Sequence, residues 1–159
     1  MRKLPAATAF SRGRTSATQA MEVRSRPDSD REEIRVPELG TPISHYTDAV
    51  RVGDLLFVSG CVPTDGGGNV VAADDVAAQA RKTFENIGAI LSAAGATFAD
   101  IAKVTIYLTD VDDRPKINPV RQEFFGDAKP ASTLVEVSRL AIPGIKIEVE
   151  AVARVPDRS

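Results

Sequence analysis

Residues 130–155, PASTLVEVSRLAIPGIKIEVEAVARV, read as two β-strands joined by a turn at Pro143-Gly144. In the second strand Ile145, Ile147, Val149, Ala151 and Ala153 alternate with Lys146, Glu148, Glu150 and Arg154. Successive side chains of a strand point to opposite faces, so this apolar set marks a strand with one buried face. The same geometry sends Glu148 and Glu150 out from the other face, roughly 7 Å apart. Spacing alone favours a solvated face there, on which Lys146 and Arg154 pair with the two carboxylates.

Upstream, order is expected to begin near Val36. From Thr47 the pattern is one of strands, DAVRVGD and then LLFVSGCV, with Gly53-Asp54 supplying a hairpin turn. Asp74 or Asp75 can accept the free N–H groups of a helix start. Val76, Ala80, Phe84, Ile87, Leu91 and Ala94 then recur at spacings of three and four up to Gly95. In IAKVTIYLTD, Val104, Ile106 and Leu108 alternate with Lys103, Thr105, Tyr107 and Thr109, the period of a half-buried strand. A second helix should carry Ile117, Val120 and Phe124 inward and end at Gly126. Pro119 leaves two forms open, because an interior proline costs ~3 kcal/mol or more. Either the helix starts with Asn118 as cap and Pro119 in its first turn, or it is distorted at the proline.

The element order predicts an α+β domain with a single mixed β-sheet and two helices packed on one face. The other sheet face, which includes Val50, Val52 and residues of the C-terminal strands, needs cover. A second copy of the chain, in a closed ring, would supply it. The domain is expected over residues 36–159, after a disordered or weakly ordered extension over 1–35. That extension holds Arg2, Lys3, Arg12, Arg14, Arg24 and Arg26, then an acidic patch from Asp28 to Glu33. An organellar targeting segment, an unstructured tail and an early start upstream of Met21 all fit it.

With 159 residues, 43% apolar and 26% charged, the chain has the size and composition of one globular domain. A net charge of -2 gives no reason to expect nucleic acid or a membrane surface as partner. The longest apolar candidate, Leu55 to Val58, is far short of the ~20 residues that span a bilayer. One cysteine, Cys61, and one histidine, His45, allow neither a disulfide nor a cluster of metal ligands, so no metal, no cofactor and a reducing, cytoplasmic setting are expected. Cys61 reads as a small packing residue. Gly66-Gly67-Gly68 lacks the spacing and the lysine of a phosphate loop and reads as a turn. Carboxylates, hydroxyls and backbone donors remain as catalytic groups, with Glu148 foremost as a general base acting on water.

The C-terminal run resembles the signature of the Rid (reactive intermediate deaminase) family, P-A-R-S-C-V-E-V-A-R-L followed by K-I-E-I-E-A. Other marks of the family are Tyr46 placed thirteen residues before Ser59-Gly60, then VAAQARKTFENIGAILSAAG, VTIYLTDVDD and NPVRQEFF. Together they run in order from about Val36 to Val155. The resemblance implies a fold similar to the small trimeric chorismate mutase, assembled as a homotrimer with clefts between neighbouring subunits. It implies hydrolysis of a small-molecule enamine or imine, such as 2-aminoacrylate or 2-iminobutanoate, to a carbonyl compound and ammonia. Carried over by position, the water-holding glutamate falls on Glu148 and the tyrosine on Tyr46. The ligand-lining positions fall on Ser59, Gly60, Asn118 and Leu134, the last replacing a cysteine. The arginine that clamps the substrate carboxylate falls on Ser132, whose hydroxyl has neither the charge nor the fork of a guanidinium. The implied substrate is therefore altered, being larger than 2-aminoacrylate or lacking an α-carboxylate. His45, where the family often has proline, can act as proton donor or anion contact. Arg51 and Arg121 are cations that the sequence does not place. The alternative reading is a non-catalytic trimer that binds a small ligand or a protein partner in the same clefts. A ribonuclease reading, also described for the family, has little support in an acidic chain with 5% aromatic residues.

Overall fold

The computed structural model describes residues 22–25 and 30–156. Its strands and helices follow in the order β1 (Glu22–Ser25), β2 (Arg31–Arg35), β3 (Ala49–Val52), β4 (Leu55–Cys61), α1 (Val76–Ala94), β5 (Ile101–Leu108), α2 (Arg114–Phe125), β6 (Ala131–Glu136) and β7 (Ile147–Arg154). The strands form a single mixed sheet in the order β1-β2-β3-β4-β7-β5-β6. Every pairing is antiparallel except the parallel β5–β6 pair. Both helices cover one face of it, as the element order predicts.

The ends of α1 are set by its own residues. The Asp75 carboxylate accepts the Ala78 N–H at 3.0 Å, and Gly95 takes a left-handed φ of +77° at the other end. The whole expected stripe, Val76, Ala80, Phe84, Ile87, Leu91 and Ala94, is buried. Phe84 sits at the centre of an aromatic cluster, its ring centroid 6.3, 5.5 and 5.9 Å from those of Phe98, Phe124 and Phe125. In α2, the helix starts at Arg114, with Pro115 in its first turn, and runs through Pro119 to Phe125. Pro119 is therefore an interior proline rather than a helix start, and the Pro115 carbonyl loses the N–H it would otherwise accept.

Three sequence expectations need correction. Pairing begins before Val36, because β2 lies between β1 and β3 and buries Ile34 completely. The expected boundary at residue 35 missed this strand because Ile34 is its one apolar residue, in REEIR. The Arg35–Asp48 ion pair at 2.6 Å and the Thr47 hydroxyl bond to the Ile34 carbonyl at 2.7 Å tie β2 down. What was expected of residues 1–21 and 26–29 lies outside the described residues. The second correction concerns the quoted run, whose two strands are not neighbours. A strand reached through a helix can lie parallel to its predecessor, and β6 follows α2 in this way to pair with β5 at the sheet edge. β7 enters between β4 and β5 instead. Third, β7 begins at Ile147 rather than Ile145, because Gln79 of α1 holds the approach. Its amide donates to the Gly144 carbonyl at 2.9 Å and accepts the Lys146 N–H at 2.7 Å.

Ile34→Ala should lower the free energy of unfolding in urea by about 2–5 kcal/mol, the usual cost of emptying a buried isoleucine site. A change near zero would return residues 31–35 to an unstructured extension.

Candidate active site

The centre of β7 decides where Glu148 points. Ile147, Val149, Ala151 and Ala153 are buried under the helices, so the intervening Glu148 and Glu150 project from the uncovered face. Opposite them, β4 carries a bulge. Val58 pairs with Ala151 and Cys61 with Val149, so Ser59 and Gly60 face Glu150 alone. Gly60 leaves the space that the Glu148 carboxylate occupies, since a Cβ there would overlap Oε1 and force that side chain to move. Ser59 donates its hydroxyl to the Thr47 carbonyl at 2.6 Å, which anchors the segment carrying Tyr46. Tyr46, Ser59, Gly60 and Glu148 line one cavity of about 420 Å³, closed by apolar groups that include Leu39, Ile43 and Ile142.

The ion pairs expected of a solvated glutamate face are not made. Glu150 accepts the Tyr107 hydroxyl at 3.2 Å, and Arg154 turns to Asp54 at 3.1 Å. Glu148 takes no hydrogen bond or ion pair among the described residues. Burial raises its carboxyl above the ordinary glutamate range, and the negative charge of Glu150 raises it further. The Cys61 thiol is buried and pushed up by desolvation and by the nearby Asp48 and Glu148 carboxylates, so it stays a protonated packing group. His45 lines a neighbouring cavity of about 560 Å³ with Arg31, Glu33 and Arg35, and shares only the wall formed by Ser44, Tyr46 and Ser59. Among the described residues no group of three His, Cys, Asp or Glu side chains could hold a metal, and no helix is long and apolar enough to cross a membrane.

Asn118, Ser132 and Leu134 lie elsewhere. On β6, Ser132 pairs with Val104 and Leu134 with Ile106, residues of the helix-covered face. Glu148 pairs with Tyr107 on the uncovered face. One chain therefore cannot bring Ser132 and Glu148 together, because β5 separates them and their side chains leave opposite sides of the sheet. Beside Ser132 stands Arg121, which the sequence left unplaced. Its Nη2 donates to the Ser132 hydroxyl at 3.0 Å. The available signal was its position three residues after Asn118, on the same face of α2. The apolar wall residues Ile43 and Ile142 carried no motif and were missed.

The raised Glu148 carboxyl has a thermodynamic sign. A group whose folded pKa exceeds its unfolded value stabilises the fold fully below the unfolded value, and this contribution is lost as pH rises through the folded one. Ionised Glu148 thus opposes folding at neutral pH. Glu148→Gln is expected to raise the urea midpoint at pH 7, with the gain vanishing below about pH 4, under the ordinary glutamate value. A gain that does not depend on pH would mean that the carboxylate is freely solvated.

The endoribonuclease L-PSP family model matches residues 38–155. A RutC family protein of Pyrococcus abyssi is 42% identical over 123 residues, covering 77% of this chain and 96% of that protein. The 2-iminobutanoate/2-iminopropanoate deaminase of Salmonella typhimurium is 40% identical over 114 residues, covering 70% of this chain and 88% of the deaminase. Among solved structures, YyfA of Yersinia pestis, described as a protein of unknown function of the conserved Rid family, matches with a TM-score of 0.74 at 31% identity. That match covers 79% of this chain and 99% of YyfA. With the mixed sheet, the helix pair and these relatives in agreement, the chain belongs to the Rid family, the group described by the endoribonuclease L-PSP model.

Proposed function

We propose that this protein hydrolyses an enamine or imine to a carbonyl compound and ammonia, with Glu148 handling the water. The observation that carries the reading is the Glu148 carboxyl itself, which is partly buried, unpaired among the described residues and set against Gly60 in a cavity that also holds Tyr46 and Ser59. An unpaired carboxylate in a half-apolar cavity is a costly feature for a fold to keep. Its use is to accept a proton. Water bound to Glu148 attacks the carbon of a C=N bond whose nitrogen already carries the iminium proton, and gives one proton to the carboxylate, which leaves a neutral carbinolamine. The resulting carbinolamine then loses its C–N bond. Glu148 returns its proton to the departing nitrogen, the hydroxyl oxygen forms the C=O bond as ammonia leaves, and the hydroxyl proton passes to the ammonia, which departs as ammonium. A carboxyl raised above the ordinary glutamate range suits both steps, as base and then as acid. Deaminases of this chemistry stand among the chain's relatives.

The split between Glu148 and the Asn118–Ser132–Leu134 group supports a site completed by a second copy of the chain. The uncovered sheet face offers a surface for that contact, with Val52, Leu55 and Phe57 exposed on it. A homotrimer with clefts between neighbours satisfies both requirements.

The test is ammonia release from 2-iminobutanoate made in situ from threonine, measured above the spontaneous rate. Wild type should accelerate it, and Glu148→Gln should slow the catalysed rate by about 100-fold or more, the usual weight of a general base. Unchanged turnover in Glu148→Gln would remove the proposed base. No acceleration by wild type over a panel of imines would remove the deaminase reading.

A further inference from the structure

One wall of the candidate site is a loop. Residues 37–47, between β2 and β3, supply Leu39, Thr41, Ile43, Ser44 and Tyr46 to the cavity that holds Glu148. Among the described residues the backbone bonds that its N–H groups make are local. Leu39 donates to the Val36 carbonyl, Gly40 to Pro37 and Tyr46 to Ser44. In the single chain Ile43 is 68% exposed and Tyr46 48%, so burial does not fix them either.

What holds the loop is an ion pair at its base. Asp48 is buried, and its Oδ1 accepts Arg35 Nη1 at 2.6 Å while its Oδ2 accepts the Val36 N–H at 2.7 Å. One carboxylate therefore closes the two ends of the loop. The same guanidinium reaches into it, because Nη2 donates to the Gly40 carbonyl at 2.5 Å. There the loop rests on the turn opposite, since a Cβ on Gly40 would stand 2.6 Å from the Gly66 carbonyl oxygen. On its other side the Asp48 carbonyl accepts the Ser59 N–H at 3.0 Å, next to the Gly60 that makes room for Glu148. Two neutral bonds, from the Thr47 hydroxyl to Ile34 and from the Ser59 hydroxyl to Thr47, fix residue 47 alone. Burial pushes the Asp48 carboxyl above the ordinary aspartate range, and the Val36 N–H and the Arg35 charge pull it back only in part. A buried ion pair is a poor device for stability alone, because well-packed apolar residues of similar volume often serve as well. It is a good device for geometry, since its charge-assisted bonds are directional and converge here on one loop.

We infer that Arg35 and Asp48 are positioning residues, a charged clasp that fixes residues 37–47 as a wall and sets Tyr46 in the cavity of Glu148. Their effect on rate rests on the imine-hydrolase reading. Their hold on the loop does not.

The experiment compares Arg35→Gln, Asp48→Asn and the double variant. Each single change leaves one buried charge without its partner and should lower the urea midpoint, whereas the double change removes both charges and should recover most of the loss. Hydrogen–deuterium exchange on the full double variant should show amides of residues 38–46 exchanging about 10-fold faster or more, with those of α1 and β7 as in wild type. In the ammonia assay its kcat should fall by about 10- to 100-fold, the weight of a catalytic group displaced by an ångström. Arg35→Lys keeps the charge beside Asp48 and loses the arm to Gly40, so it should fall between, and it carries the same test if the double variant does not fold. Unchanged exchange in 38–46, or acceleration spread equally over α1 and β7, overturns the clasp. Faster loop exchange with a wild-type kcat overturns its part in the reaction. If wild type releases no ammonia from any imine, the deaminase reading fails, and faster exchange confined to the loop still upholds the clasp.

Discussion

The constraint on which the rest of this structure depends is the alternation of β7 at the middle of the sheet. Placed between β4 and β5, its residues at 147, 149, 151 and 153 are the floor against which the helices pack. The same alternation fixes the even-numbered residues on the uncovered face. Core and candidate site are thus two sides of one strand. Glu148 cannot be moved without turning the core outward, because a slip of one residue exchanges the faces of every side chain in the strand.

That coupling accounts for a feature that would otherwise be a defect. Glu148 is partly desolvated, repelled by Glu150 and without a partner among the described residues. Its unfavourable term is tolerated because β7 is paired on both edges and buried on one face, so the local penalty is small beside what holds the strand. The bulge at Ser59-Gly60 and the bare Cα of Gly60 make room for the carboxylate. Arg121 is the counterpart on the other side of the sheet, a half-buried cation that among the described residues is held by a hydroxyl alone. Among the described residues the protein therefore keeps a carboxylate without a partner and a guanidinium without an ion pair on opposite sides of the sheet, too far apart to neutralise each other.

Much of this could be read from residue order. Helix α1 was legible at both ends, because Asp75, the three-and-four stripe and Gly95 act over a few residues and need no distant partner. The buried and uncovered sets of β5 and β7 were legible for the same reason. Strand β2 was not, because its only apolar residue lies among charges and gains its meaning from pairing with β3, fifteen or more residues away. Helix α2 runs through Pro119, the second of the two forms that the sequence left open, since packing of Ile117, Val120 and Phe125 outweighs one missing hydrogen bond.

The sequence by itself determined the fold class, the alternation that sends Glu148 outward, and the family to which the chain belongs. These rest on local periodicity and on motifs that lie in order along the chain. Only the tertiary structure decided that β6 and β7 are kept apart by β5, that Glu148 lacks the salt bridges its neighbours offer, and that Arg121 stands on Ser132. Each of these depends on which strand lies beside which and on how far water is excluded. Such relations join residues distant in the chain, and no short window of sequence contains them.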